Sequence, residues 1–139
     1  MTRRVVLDTN VYVSALRFGG KPKLVLDLVM DEGCRLLVSS PLRLELERIL
    51  RDKFSYTARE IDATASFLWG EAEWIAPTHR LQLCPDEADN RVLECAVEGR
   101  AQFIVSGDKH LLNLPPIEGI AILKPDAFLG AFIRRPAAE

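Results

Sequence analysis

The run Arg4-Val5-Val6-Leu7-Asp8-Thr9-Asn10 changes character at a single point. Three successive apolar residues read as a strand buried on both faces, and an acid followed by two small polar residues then opens a turn. The same change recurs along the chain. Leu36-Leu37-Val38 precedes the helix that carries Glu45, Trp74-Ile75-Ala76 precedes Asp89, and Phe103-Ile104-Val105 precedes Asp108. Strand-like runs alternating with helical ones predict an α/β fold built from right-handed crossovers, with a parallel sheet covered by helices on both faces. In such a sheet the carboxyl ends of the strands share one edge, and ligands bind in the crevice there.

The predicted strands are 4–7, 35–38, 73–76, 102–105 and 120–123. Between them, a helix over 10–16 is broken by Gly19-Gly20. Pro22 suits the first position of a helix that runs to Asp31 and is stopped by Gly33. Ser40 is the expected N-cap, with Pro41 in the first turn, of a helix to Phe54. Thr57 and Glu60 have capping-box spacing for a helix to Glu71. A helix over 86–98 is closed by Gly99. A short turn covers 109–113, and Pro125-Asp126 opens a last helix to Arg134.

The 139 residues, 48% of them hydrophobic, are expected to form a single domain spanning 1–139. No apolar run nears the ~20 residues needed to cross a bilayer, and the stretch between Arg4 and Asp8 is too short for a signal peptide. Cys34, Cys84 and Cys95 form no CxxC pair and read as reduced thiols, Cys95 as core filler, which suits the cytoplasm. A net charge of −2 counts against a simple basic nucleic-acid binder but leaves room for a local basic rim. Thirteen of the eighteen basic residues are arginine, the better bidentate ligand for phosphate.

Each carboxylate has a plain structural role beside a chemical one. Asp8 is a possible helix cap, yet Asp8-Thr9-Asn10 offers three capping residues where one suffices. Glu45 borders the stripe of Leu42, Leu46, Ile49 and Leu50, and its plain role is a surface glutamate paired with Arg48 three residues on. Asp89 points with Val92, Leu93 and Ala96, so it is an acid on an apolar face, where a carboxylate needs partners or a metal. Asp86 and Asp89 also form a D-x-x-D variant of the capping box, so Asp86 can cap while Asp89 faces the cleft. Asp108 follows Gly107, which permits a tight turn, and turn aspartates are common. Four acids at equivalent topological positions repel one another unless a hard cation neutralises them, and Mg²⁺ or Mn²⁺ suits an all-oxygen site. His79 and His110 show no zinc spacing, and there is no P-loop or dinucleotide fingerprint. A phosphatase of the haloacid-dehalogenase type needs a second aspartate where Asn10 stands. Trp69, Trp74 and Phe67 are expected in the core.

Leu7-Asp8-Thr9-Asn10-Val11, the stretch from Ser39 to Leu46, Cys84-Pro85-Asp86-Glu87-Ala88-Asp89-Asn90 and Val105-Ser106-Gly107-Asp108-Lys109-His110-Leu111-Leu112 together resemble the PIN-domain family, closest to the toxins of VapBC-type toxin–antitoxin modules. The likeness covers Val5 to Phe132. It implies a three-layer α/β/α sandwich and a ribonuclease site that uses one or two Mg²⁺ or Mn²⁺ ions. By motif position Asp8, Glu45 and Asp89 are its principal ligands. Asp108 completes the site or holds a second, weaker ion. Asn10, Asp86 and Ser106 support it. Relatives often carry further acids where Ala88 and His110 stand.

The reading that follows is a metal-dependent endoribonuclease for single-stranded or looped RNA, the toxin of a toxin–antitoxin pair, with a cognate antitoxin and a homodimer as expected partners and no membrane. Arg17, Lys21, Lys23, Arg43 and Lys109 are candidates for gripping RNA phosphates. The alternatives are a non-catalytic PIN-like protein-binding module, a metal-dependent phosphatase of small phosphoesters, and a DNA nuclease.

Overall fold

In a computed structural model, which describes residues 2–31 and 33–133, five strands form one sheet, all parallel, in the order β3-β2-β1-β4-β5. The strands are β1 (Arg3–Leu7), β2 (Cys34–Val38), β3 (Glu73–Trp74), β4 (Phe103–Val105) and β5 (Ala121–Leu123). The helices are α1 (Thr9–Arg17), α2 (Gly20–Val29), α3 (Ser40–Phe54), α4 (Ala58–Trp69), α5 (Glu87–Glu98), α6 (Lys109–Leu112) and α7 (Pro125–Ile133). Arg134, where the sequence places the end of α7, lies outside the described residues. β1 is central, and Val5, Val6 and Leu7 are buried although successive side chains point to opposite faces. Both faces of the sheet are therefore covered, in a three-layer α/β/α arrangement. Among the described residues no helix is long and apolar enough to cross a membrane.

Chain order reverses at β1, with β2 and β3 on one side and β4 and β5 on the other. This is the switch point at which a parallel sheet opens a crevice beyond its carboxyl ends. At the opposite, amino end, Arg4 grips Glu73 with two bonds of 2.9 Å and donates to the Gly99 carbonyl at 2.9 Å, tying β1, β3 and the end of α5 together. Cys95 is fully buried, and burial pushes its thiol up to about 12, which agrees with core filler. Trp69 is buried against Tyr12, but Trp74 and Phe67 are exposed rather than in the core.

Several local expectations change in detail. β3 is two residues long, because it is an edge strand whose last bond, from Ile75 N to the Val38 carbonyl, comes two residues before Pro77. Pro22 is the third residue of α2, after Gly19 and Gly20 at φ +80° and +66°. Ser39 rather than Ser40 holds the N-cap position of α3, and its buried hydroxyl makes no capping bond. Gly99 ends α5 in a right-handed conformation, and Arg100 is the residue at positive φ (55°). Glycine is needed at 99 for room, since a Cβ there would sit 2.9 Å from the Cys95 carbonyl oxygen, 2.9 Å from Leu37 Cδ1 and 3.0 Å from Ile75 Cδ1.

Candidate acidic site at the switch point

Asp8 follows β1 and Asp108 follows β4, and these strands are hydrogen-bonded neighbours. Ser106 joins the two acids. Its hydroxyl donates to Asp8 Oδ2 at 2.7 Å and accepts from the Asp108 amide at 2.9 Å. Asp108 then caps α6 by accepting from the His110 amide at 2.7 Å. Gly107 is not at positive φ, and a side chain there would meet open space. The turn that presents Asp108 is thus made by the Ser106 hydroxyl, not by glycine's freedom.

Asp8 is 6% exposed. Burial raises its pKa. The Ser106 bond opposes the rise, the Asp108 charge adds to it, and the backbone amides of Thr9 and Asn10 lower it again. It stands at the N-cap position of α1, and its closest side-chain partner is the Ser106 hydroxyl across the sheet. Asn10 is exposed.

Asp89 lies in the first turn of α5. Asp86 caps that helix by accepting from Ala88 N at 3.0 Å, and Asp89 does not reciprocate. Only the Asp86 half of the expected box forms. Asp89 is 3% exposed, and its Oδ2 has no hydrogen-bond partner. Burial, then the charges of Asp108, Asp8 and Asp86, push it up to about 7, and only His110 pulls it down. Asp8, Asp89 and Asp108 thus lie within reach of one another's charge, with Asp86 at the margin.

Glu45 stands differently. Arg48 grips it with bonds of 3.1 and 2.9 Å, and it lines a small groove with Glu87, Ala88 and Arg91. Helix rotation places it beside the apolar stripe with the partner that its i,i+3 spacing offers.

The orphaned buried oxygen of Asp89, set among like charges, fits a cation. The donor set is all carboxylate oxygen, which suits Mg²⁺ or Mn²⁺ over zinc. Among the described residues no three His, Cys, Asp or Glu side chains are already drawn together tightly enough to grip an ion. An ion would have to draw them in.

The irregular segment before α5 is held by a ladder that the sequence reading did not anticipate. Asn90 Oδ1 accepts from the amides of Leu83 and Cys84 at 3.0 and 2.8 Å, and Asn90 Nδ2 donates to the Cys84 carbonyl at 2.9 Å. One turn on, Glu94 Oε2 accepts from Leu81 N at 2.8 Å and from Arg91 at 2.8 Å. One turn further, Glu98 accepts from the Thr78 hydroxyl at 3.0 Å. Polar residues at 90, 94 and 98, each four apart on a helix packed against β1 and β2, were the available signal. The ladder fixes the start of α5 and with it Asp89.

The candidate phosphate-gripping residues are spread out. Arg17 lies over the Phe54 ring at 5.0 Å, Lys23 pairs with Asp27 and Arg43 with Glu47, while Lys21 and Lys109 are exposed.

The class that the fold and site define is an α/β/α sandwich with a parallel sheet and an acidic crevice at its switch point. Residues 4–110 match the model of the PIN domain, and the chain belongs to the PIN-domain family, whose members are in general nucleases. It is 32% identical over 117 residues to the uncharacterised protein MJ1680 of Methanocaldococcus jannaschii, covering 80% of this chain and 74% of that protein. Its fold is similar to that of VapBC2 from Rickettsia felis, solved bound to a DNA fragment from its promoter (TM-score 0.58, 14% identity, 86% of this chain and 96% of that one). It is also similar to the PIN domain of RRP44 from T. brucei (TM-score 0.51, 15% identity, 96% and 82%).

Proposed function

We propose that this protein is a metal-dependent endoribonuclease that cleaves single-stranded or looped RNA, and that it is the toxin of a toxin–antitoxin pair. The observation that carries the reading is the buried, unpartnered oxygen of Asp89, held against the charges of Asp8 and Asp108. Asp8, Asp89 and Asp108 would hold the ion, with Glu45 as a fourth donor once released from Arg48. A bound divalent ion supplies Lewis-acid polarisation of a phosphodiester and a water of lowered pKa. The chain's own residues do the rest. Ser106 orients the Asp8 carboxylate and the Asp108 turn together, Asp86 fixes the first turn of α5, and the Asn90–Glu94–Glu98 ladder keeps Asp89 at the crevice. The likeness to VapBC2 supports a cognate antitoxin, and a homodimer and a cytoplasmic site of action accord with that role.

The Arg48 grip on Glu45 favours a second reading, a non-catalytic PIN-like module that binds a protein partner. One experiment separates the two. End-labelled single-stranded RNA is incubated with Mg²⁺, Mn²⁺ or EDTA, beside Asp8→Asn and Asp89→Asn, with folding checked by circular dichroism. Metal-dependent cleavage lost in both variants is the expected result. Absence of both cleavage and calorimetric Mn²⁺ binding in the wild type would leave the binding module standing.

A further inference from the structure

The sheet edge that carries the acids also carries an aromatic side chain for which the chemistry above has no task. Trp74 ends β3, one of the two edge strands, in register with Val38, and it is 47% exposed. Its indole is braced edge-on by the buried Trp69, with ring centroids 6.1 Å apart at 62°. In front of it lies an open groove of about 540 Å³ that Ser40, Arg43 and Ser66 also line. This groove shares Ser40 with a second of about 450 Å³, lined by Pro41, Thr78, Arg80 and Arg91. The second shares Pro41 and Arg91 with a third of about 220 Å³ that reaches Glu45, Glu87 and Ala88. Linked by these shared residues, the three grooves succeed one another from Glu45 and Glu87 to Trp74, and we read them as one track. Arg43 and Arg91 on it are held in place by Glu47 and by Glu87 and Glu94.

β3 is two strands from β1, so at about 4.8 Å per strand Trp74 stands roughly 10 Å along the edge from the strand that bears Asp8. We propose that this track carries the single strand away from the acids and that Trp74 stacks an unpaired base of the RNA, about two nucleotides from the bond that is cut. Stacking needs an unpaired base and tolerates any base identity. Arginines spaced along the track offer partners for the phosphates between. A protein partner would want a contiguous apolar patch, and here Ser40, Arg43 and Ser66 interrupt the apolar surface that the indole shares with Ala65 and Trp69. The proposal rests on the nuclease reading for its substrate, but its test reads binding separately from cleavage.

A short RNA oligonucleotide and a dinucleotide too short to reach Trp74 are titrated in Ca²⁺ against wild type, Trp74→Leu and Trp74→Tyr, following tryptophan fluorescence, with Trp69 as the internal fluorophore. The oligonucleotide should quench the wild type. Trp74→Leu should lose the quench and bind about tenfold more weakly, Trp74→Tyr should bind within about threefold of wild type, and the dinucleotide should not distinguish them. In Mn²⁺, Trp74→Leu should raise KM for the oligonucleotide about tenfold with kcat unchanged. Equal oligonucleotide affinity in wild type and Trp74→Leu overturns the proposal, as does a wild type that binds no RNA. Self-association abolished by Trp74→Leu, without any quench by RNA, also overturns it and gives the face to a protein. Binding that depends on Trp74 without cleavage by any protein keeps the stacking site and fails the nuclease reading.

Discussion

α4 and α5 open with the same spacing, a capping residue followed three positions later by an acid, and they use it in opposite ways. At α4 the box closes. Thr57 Oγ1 accepts from the Glu60 amide at 3.1 Å, and Glu60 Oε1 accepts from the Thr57 amide at 2.8 Å, both at the surface. At α5 Asp86 caps, and Asp89 turns inward, buried, with one oxygen unpartnered and three other acids raising its pKa. The first acid is spent on its own helix. The second is left without a partner for one buried oxygen, at a cost in stability, and that cost is what the proposed metal would offset.

The largest break in this comparison is chemical. Asp89→Asn should lower metal-dependent RNA cleavage on the order of 10³-fold, whereas Glu60→Gln should leave it unchanged, as initial rates on labelled RNA will show. Next comes the pH dependence of stability without metal. The folded state holds a proton on Asp89 up to about pH 7, while the unfolded chain releases it near 3.8. Between those values the native state binds more protons, so stability falls as pH rises, by roughly 3 kcal/mol, and burial of Asp8 adds in the same direction. Urea melts across pH 4 to 7 should show this decline, and Asp89→Asn should flatten it. Closely behind is the metal effect. At pH 7.5, Mn²⁺ at a hundred times its Kd should stabilise the wild type by about 2.7 kcal/mol, seen as a rise in Tm, and should leave Asp89→Asn nearly unmoved. The smallest effect lies at α4. Thr57→Ala should cost about 1 kcal/mol in urea melts at any pH in this range, without touching metal binding or cleavage.

Much of this contrast was legible in the residues. β1, β2 and β4 stand out because strands buried on both faces are written as unbroken apolar runs, and Asp89 stands out because Val92, Leu93 and Ala96 share its helical face. The Thr57–Glu60 box and the Asp86 cap are local patterns with local partners. What could not be read depends on neighbours far along the chain. Gly99 answers to Leu37 and Ile75 as well as to the Cys95 carbonyl of its own helix end. The work expected of Gly107 is done by the Ser106 hydroxyl, which also reaches Asp8 across the sheet. Asn90, Glu94 and Glu98 bond an irregular segment whose path no periodicity describes. Trp74 looks like core in sequence and is exposed because β3 is an edge strand.

The central position of β1 sets an order of assembly. Asp8 and the serine that holds it are 98 residues apart, about 5–20 s of synthesis at ~5–20 residues per second. A nascent chain that has made Asp8, Glu45 and Asp89 still lacks β4, the Ser106 bond and the fourth acid. The crevice has its second wall only with that strand beside β1, so its acids can be brought together only after most of the chain has been synthesised.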